Sequence, residues 1–181
     1  MPEYALTAII PFLCRTENLN HLMHLVKNVL IENDIQLIVV IDESEEHLPF
    51  NYFKDNLAFG RNLEVVKGNF GSPGRSRNAG LSLATGRWIA FWDSDDEICV
   101  DQFIKMITNA EKLNRNICIG EFETFSADFN SNRHQFHIPK SQKFLQSSIA
   151  KRPGIWRFAF LNNGLIITKK FGDYLLGEDQ L

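Results

Sequence analysis

A chain of 181 residues, 44% of them hydrophobic and 12% aromatic, is long and apolar enough to bury the core of one globular domain. Its net charge of −3 argues against a general nucleic-acid-binding protein, and its longest apolar runs fall short of the ~18 residues that suggest a membrane span. Three scattered cysteines without C-x-x-C spacing and an N-terminus without a basic signal region are typical of a reduced, cytoplasmic protein.

Short apolar runs alternate with helical patterns through the first half of the chain. Strands are predicted at residues 5–10, 36–41, 63–66 and 88–92, the first of them ending at Pro11. One helix should begin at an N-cap Thr16, a second should cover residues 75–84, and a third should follow Glu97. Fully apolar strands between helices indicate an α/β fold with a mostly parallel central sheet and helices on both faces.

The second half of the chain has a weaker pattern. Residues 116–122, 134–138 and 164–168 are predicted as strands, and residues 140–150 as a short helix.

Polar residues follow the predicted strands of the first half. Asp42 follows the second strand, a glycine-rich loop follows the third, and Asp93 to Glu97 follow the fourth. Ligands of such sheets bind beyond the carboxyl ends of the strands. We therefore expect a polar, acidic cleft at this edge.

The stretch "GRWIAFWDSDDE" (86–97) brings three aspartates together at the end of an apolar strand. One of them could cap the next helix, but three carboxylates within four residues repel one another unless a cation or a proton relieves them. If the strand continues, Asp93 and Asp95 lie on the same side of it. Because Mg²⁺ and Mn²⁺ prefer oxygen ligands, the stretch predicts a metal and phosphate site, with a purely structural capping role as the alternative.

The stretch "GSPGRSRNAG" (71–80) has neither the P-loop pattern nor the G-x-G-x-x-G spacing. Structurally, Ser72 suits an N-cap and Pro73 the first helical position. Functionally, Arg75, Arg77 and Asn78 at the start of a helix offer donors to an anionic ligand. The residues alone leave both interpretations open.

Taken together, "IIPF", "IDES", "GSPGRSRNAGLSLATGRWIAFWDSDDE" and "GEDQL" resemble the family-2 glycosyltransferases with the GT-A fold. The matching positions include one helix start, one strand entry and the acidic end: Arg77, Asn78, Gly80, Ala84, Gly86, Ile89, Asp93, Asp95 and Asp96. The sequence departs from the family pattern at Ser76, where alanine is common, and at Arg75, an additional cation.

The resemblance implies a nucleotide-diphospho-sugar donor, with a UDP-sugar favoured, and Mn²⁺ or Mg²⁺ as the cofactor. The implied nucleotide-binding residues are Pro11, Glu17, Asp42, Arg77, Asn78 and Asp93, of which Glu17 and Asp42 would hold the base. The implied metal ligands are Asp95, Asp93 and Asp96. The late acidic pair makes Asp179 the general base and Glu178 its catalytic neighbour.

The predicted protein is thus a metal-dependent inverting glycosyltransferase of polysaccharide or glycoconjugate synthesis, acting on a saccharide or lipid-linked acceptor in the cytoplasm or at the inner face of the membrane. Residues 1–181 form one domain, with a nucleotide-binding half at 1–97 and an acceptor-side half at 98–181 that is truncated relative to the family. One alternative is a haloacid-dehalogenase-type phosphohydrolase, although Glu97 stands where those enzymes have Thr or Val. The other is a non-catalytic nucleotide-binding module of the same fold.

Overall fold

The computed structural model describes residues 3–14, 19–30, 34–43, 62–120, 122–124, 134–136 and 158–162. In chain order the elements are β1 (Leu6–Leu13), α1 (Leu19–Leu30), β2 (Ile35–Asp42), β3 (Leu63–Gly68), α2 (Pro73–Leu81), β4 (Trp88–Phe91), α3 (Val100–Lys112), β5 (Ile117–Ile119), β6 (Phe122–Thr124), β7 (His134–Phe136) and β8 (Phe158–Leu161). Among these residues, no helix has the length and apolar composition needed to cross a bilayer.

Six strands form the central sheet in the order β3-β2-β1-β4-β8-β5. The four strands predicted in the first half are all parallel to one another, whereas β8 runs antiparallel between β4 and β5. Strands β6 and β7 form a separate antiparallel pair. The predicted α/β fold with a mostly parallel sheet is confirmed.

Helices cover both faces of this sheet, as the apolar strands predicted. On one face, Leu22 and Val26 of α1 and Ile107 of α3 pack with alternate residues of the parallel strands. On the other face, Ala79 and Leu81 of α2 pack against the intervening strand residues, among them Ile9 and Ile38. Burial of both sets of side chains, nearly complete in β1, β2 and β4 and partial in β3, explains why these strands are mostly apolar.

Strand β1 continues through Pro11 to Leu13, so the prediction that the proline ends it is wrong. The backbone groups of successive β1 residues point alternately towards β2 and towards β4. The N–H of Cys14 donates a hydrogen bond to the carbonyl of Asp42 in β2, whereas the carbonyl of Ile9 accepts one from the N–H of Trp92 on the β4 side. Pro11 therefore faces the β4 side, and β4 has already ended, since its last residue, Phe91, pairs with Ile9. The missing N–H of the proline removes no ladder hydrogen bond there.

The second half differs from its prediction. The single strand expected at 116–122 is two strands, β5 and β6, which pair with different partners. Strand β8 was not predicted, and β7 covers the described part of the strand expected at 134–138. Thr16, the helix predicted at 140–150 and the strand predicted at 164–168 lie outside the described residues.

Candidate functional site

A cleft of about 380 Å³ opens at the carboxyl ends of β1, β2 and β4, beside the start of α2. It is lined by five residues that the sequence assigned to nucleotide or metal binding: Pro11, Asp42, Arg77, Asp93 and Asp95. The expected polar cleft therefore exists. The binding roles of these five side chains remain predictions.

The start of α2 forms one wall of the cleft. Ser72 is its N-cap, with Oγ accepting a hydrogen bond from the Arg75 N–H at 3.3 Å, and Pro73 is the first helical residue. Gly71 precedes the cap with φ of 69°, a left-handed conformation that glycine adopts without strain. The structural interpretation of this stretch is confirmed, and the positive end of the helix dipole lies at the cleft.

Asp42 ends β2 at the floor of the cleft and is only 4% exposed. Its Oδ1 accepts a hydrogen bond from the Phe70 N–H at 3.0 Å, which joins β2 to the loop after β3. Beside it, Lys67 Nζ and Glu43 Oε1 form an ion pair at 2.8 Å that joins the same two strands. The position of the Asp42 carboxylate is thus fixed by neighbouring backbone, as a recognition group requires.

Arg77 and Asp93 form an ion pair inside the cleft. Nη2 of Arg77 donates to Oδ1 of Asp93 at 2.8 Å, and the two side chains are 5% and 33% exposed. The arginine comes from α2 and the aspartate follows β4, so the pair joins the helix to the sheet edge.

The acidic stretch forms a turn, not a continuation of the strand. Strand β4 ends at Phe91, and the N–H of Asp96 donates to the carbonyl of Asp93 at 3.3 Å. The alternation expected to place Asp93 and Asp95 on one side of a strand therefore does not apply, although both line the cleft.

The expectation that an aspartate caps the following helix is also wrong. Helix α3 begins at Val100, and its N-cap is Cys99, which makes no side-chain capping hydrogen bond. The capping explanation for the acidic stretch is therefore not available for this helix.

Asp96 is half-buried next to the other two carboxylates and is not one of the residues that line the cleft. Burial, and to a lesser degree the charges of Asp93 and Asp95, raises the pKa of Asp96 from 3.8 to about 6. The pKa shift mainly reports the cost of burying a charged carboxylate, and the smaller contribution from Asp93 and Asp95 is a repulsion that a cation would relieve. The described residues contain no preformed group of three His, Cys, Asp or Glu side chains around one point. Mg²⁺ commonly uses only one or two carboxylates together with substrate oxygens, so this donor set fits such an ion.

Replacing Asp96 with asparagine should stabilise the protein at neutral pH. The folded state holds the Asp96 proton more tightly than the unfolded chain does, so stability falls as the pH rises from about 4 through about 6. A shift of two pH units corresponds to at most about 3 kcal/mol, and we expect about 1–2 kcal/mol for a side chain that retains some solvent contact. Thermal unfolding of Asp96→Asn and wild type at pH 4, 6 and 8, without divalent cations, measures the gain.

The difference between the two proteins should shrink towards pH 4, where wild-type Asp96 is protonated. Glu97→Gln is the matched control, because this exposed neighbour should change the melting temperature little at any pH. An Asp96→Asn protein no more stable than wild type at pH 8 would contradict the buried-charge explanation.

Among the described residues, two of the predicted site residues, Asn78 and Asp96, do not line the cleft. Asn78 is half-buried on α2, and its Oδ1 has no hydrogen-bond partner within the described part of the chain. Glu17, Glu178 and Asp179 lie outside the described residues. Sequence reasoning did not assign a role to Ser76, which lines the cleft and donates through Oγ to the Ser72 carbonyl at 3.2 Å. Its signal was its position one residue before Arg77, where the family commonly has alanine.

The family model described as Glycosyl transferase family 2 matches residues 7–171. The chain belongs to glycosyl transferase family 2. The matched region includes every residue of the cleft, and the expected family resemblance is confirmed. Membership of this family also decides against the haloacid-dehalogenase-type alternative.

Similar proteins agree with this assignment. The chain is 32% identical over 98 residues to the succinoglycan biosynthesis protein ExoO of Rhizobium meliloti (strain 1021), covering 54% of this chain and 26% of ExoO. Its fold is similar to crystal structures of S. aureus TarS 1-349, without ligand (TM-score 0.62) and in complex with UDP (TM-score 0.61). Each comparison has 17% identity and covers 97% of this chain and 52% of TarS 1-349. The chain thus spans about a quarter of ExoO and about half of that TarS fragment. Its fold is the GT-A fold expected for the family.

Proposed function

We propose that this chain is a metal-dependent inverting glycosyltransferase that moves a sugar from a UDP-sugar to an acceptor hydroxyl. The carrying observation is the cleft itself, where Asp42, Arg77, Asp93 and Asp95 lie together in a member of glycosyl transferase family 2. TarS 1-349, which has a similar fold, binds UDP in its crystal structure, and this favours a UDP-sugar. The likeness to ExoO favours a role in polysaccharide synthesis.

In this proposal the residues of the cleft divide between the parts of the donor. Asp42 and Pro11, at the ends of β2 and β1, hold the nucleoside together with Glu17, and the Asp42 carboxylate accepts a base N–H. The start of α2 directs backbone N–H groups and its dipole towards the negative phosphates. Asp93, Asp95 and Asp96 hold a divalent cation, which supplies Lewis-acid stabilisation of the leaving diphosphate.

The acceptor side of the reaction requires a proton to be removed from the attacking hydroxyl. We assign this step to Asp179 as the general base, with Glu178 beside it. The hydroxyl oxygen forms the new bond to the anomeric carbon as the bond to the diphosphate oxygen breaks, and the proton passes to the carboxylate. A single direct displacement inverts the anomeric configuration.

UDP together with Mn²⁺ should stabilise the protein against unfolding. At ~100 times the dissociation constant, a ligand that binds only the folded state contributes about 2.7 kcal/mol. For a chain of this size that corresponds to a melting temperature higher by roughly 5–10 °C. Thermal unfolding with UDP, GDP or TDP, with and without Mn²⁺, measures the effect and ranks the nucleotides.

Asp95→Asn should lose the Mn²⁺-dependent part of this stabilisation. Asp101→Asn is the matched control, since it removes the same charge from an exposed site on α3, away from the cleft. If none of the three nucleotides stabilises the wild-type protein in the presence of Mn²⁺, the proposed function is wrong.

A further inference from the structure

We propose that Arg77 is a positioning residue that fixes the carboxylate of Asp93, and that it acts on the bound nucleotide through Asp93, not as a ligand of the diphosphate. The inference rests on the proposed function and deepens it. The sequence suggested instead that the arginines at the start of α2 bind an anionic ligand directly.

The two partners of the ion pair, Arg77 and Asp93, are buried to different degrees. The Arg77 side chain is only 5% exposed, as suits a guanidinium, which is weakly hydrated for a cation and is often found in buried ion pairs. Its Nη2 already donates to Oδ1 of Asp93 at 2.8 Å, and the aspartate is the more exposed partner, at 33%. Both side chains line the cleft, but the carboxylate is the more accessible group of the pair, so we infer that a ligand contacts it in preference to the guanidinium.

Both partners of the ion pair are also held in place by the central sheet. Helix α2 lies very close to β1 and β2 at Gly80, where a Cβ atom would be 2.5 Å from Cγ2 of Ile9 and 3.1 Å from Cγ2 of Val40. Arg77 is three residues earlier on the same helical face, so this close approach sets the depth of its side chain. The position of Arg77 thus follows from helix packing.

Asp93 is anchored from the β4 side. The preceding residue, Trp92, donates its N–H to the Ile9 carbonyl at 3.0 Å, is fully buried, and packs edge-to-face against Phe103 of α3 with ring centroids 5.3 Å apart. The ion pair therefore links two rigid elements. Such a link can hold a carboxylate in the productive geometry that a binding or catalytic group needs.

The charges support the same role. One guanidinium and three aspartates carry a net charge of −2, which matches a single divalent cation. If Arg77 turned towards a diphosphate, Asp93 would lose its partner beside Asp95 and Asp96, and the repulsion among the carboxylates would grow. Pairing with Asp93 keeps the guanidinium charge beside the carboxylates.

A double-mutant cycle with two nucleotides tests the inference. The variants are Arg77→Gln, Asp93→Asn and the double variant, and the probes are UMP and UDP with Mn²⁺ in isothermal titration calorimetry. We expect Arg77→Gln to weaken the binding of both nucleotides by the same factor, about 10- to 150-fold, as the loss of one hydrogen bond to a charged group suggests. The double variant should bind no more weakly than Asp93→Asn alone, because Arg77 has no effect without the carboxylate.

A direct diphosphate contact gives a different pattern. The loss caused by Arg77→Gln would then be at least tenfold larger for UDP than for UMP, or would persist in the Asp93→Asn background, and either result overturns the inference. If Arg77→Gln does not fold, Arg77→Lys replaces it in the same cycle, with the same two patterns deciding. Wild-type protein that binds neither nucleotide would instead refute the proposed function, so the two failures are distinguishable.

Discussion

Replacing Gly86 with alanine should destabilise the fold by about 3 kcal/mol or more, a large fraction of the 5–15 kcal/mol typical of a folded domain. An added Cβ would lie 2.4 Å from the backbone nitrogen of Thr7 and 2.6 Å from the backbone carbon of Leu6. Both atoms belong to the start of β1 in the buried centre of the sheet, so neither can move away as the end of a flexible side chain would. The Gly86 N–H, which donates to Thr7 Oγ1 at 2.8 Å, would lose that hydrogen bond as the chains separate.

Thermal and urea unfolding of Gly86→Ala would measure this loss, which should lower the melting temperature by roughly 6–12 °C. Arg87→Ala is a suitable control at the next position. Arg87 is exposed and its ion pair with Glu111 is a surface pair, so its removal should cost less than about 1 kcal/mol. A Gly86→Ala protein whose stability falls by no more than that of Arg87→Ala would contradict the close approach.

The parallel half of the fold was predictable because its signals are local. Each of β1 to β4 contains a short apolar run, and burial on both faces of a sheet favours such runs irrespective of distant sequence. Ser72 and Pro73 likewise mark the start of α2 through their own backbone preferences. The polar residues that follow these strands in the sequence then predicted at which edge of the sheet the cleft lies.

The parts that were missed depend on distant partners. Strand β8 is a four-residue segment that is inserted antiparallel between β4 and β5, and nothing within residues 158–161 specifies that pairing. The ion pair between Arg77 and Asp93 joins residues 16 positions apart and depends on how closely α2 approaches the sheet at Gly80. The sequence placed both side chains at the cleft, but their mutual contact is a consequence of packing.

At the acidic stretch, the local preference of aspartate for helix N-caps leads to a wrong expectation. Aspartate is a favoured N-cap, yet the chain makes a turn at Asp93 to Asp96 and starts α3 only after Cys99. Two aspartates, Asp93 and Asp95, thus line the cleft with Asp96 beside them, and the fold does not use any of the three to cap α3. Their concentration there is better explained by a ligand charge than by helix formation, which is the reason for assigning the metal to them.

Asp179→Asn should lower the rate of sugar transfer by ~10²–10⁴-fold, the usual contribution of a positioned general base. Asparagine has nearly the same shape as aspartate but cannot take the proton from the attacking hydroxyl. Donor binding should persist, with a dissociation constant for UDP and Mn²⁺ within about twofold of the wild type, because the base acts on the acceptor. Transfer from a UDP-sugar and calorimetric titration with UDP measure the two quantities separately.

Glu178→Gln is the matched control, since it removes the same charge one residue earlier and should reduce transfer by less than about tenfold. The anomeric configuration of the product, followed by NMR, reports on the same step, because a single displacement assisted by one base must invert it. Unchanged transfer by Asp179→Asn would refute the assignment of the base. Wild-type protein that binds UDP with Mn²⁺ but transfers no sugar to any acceptor would support the non-catalytic nucleotide-binding module instead, because the donor cleft would then operate without the acceptor chemistry.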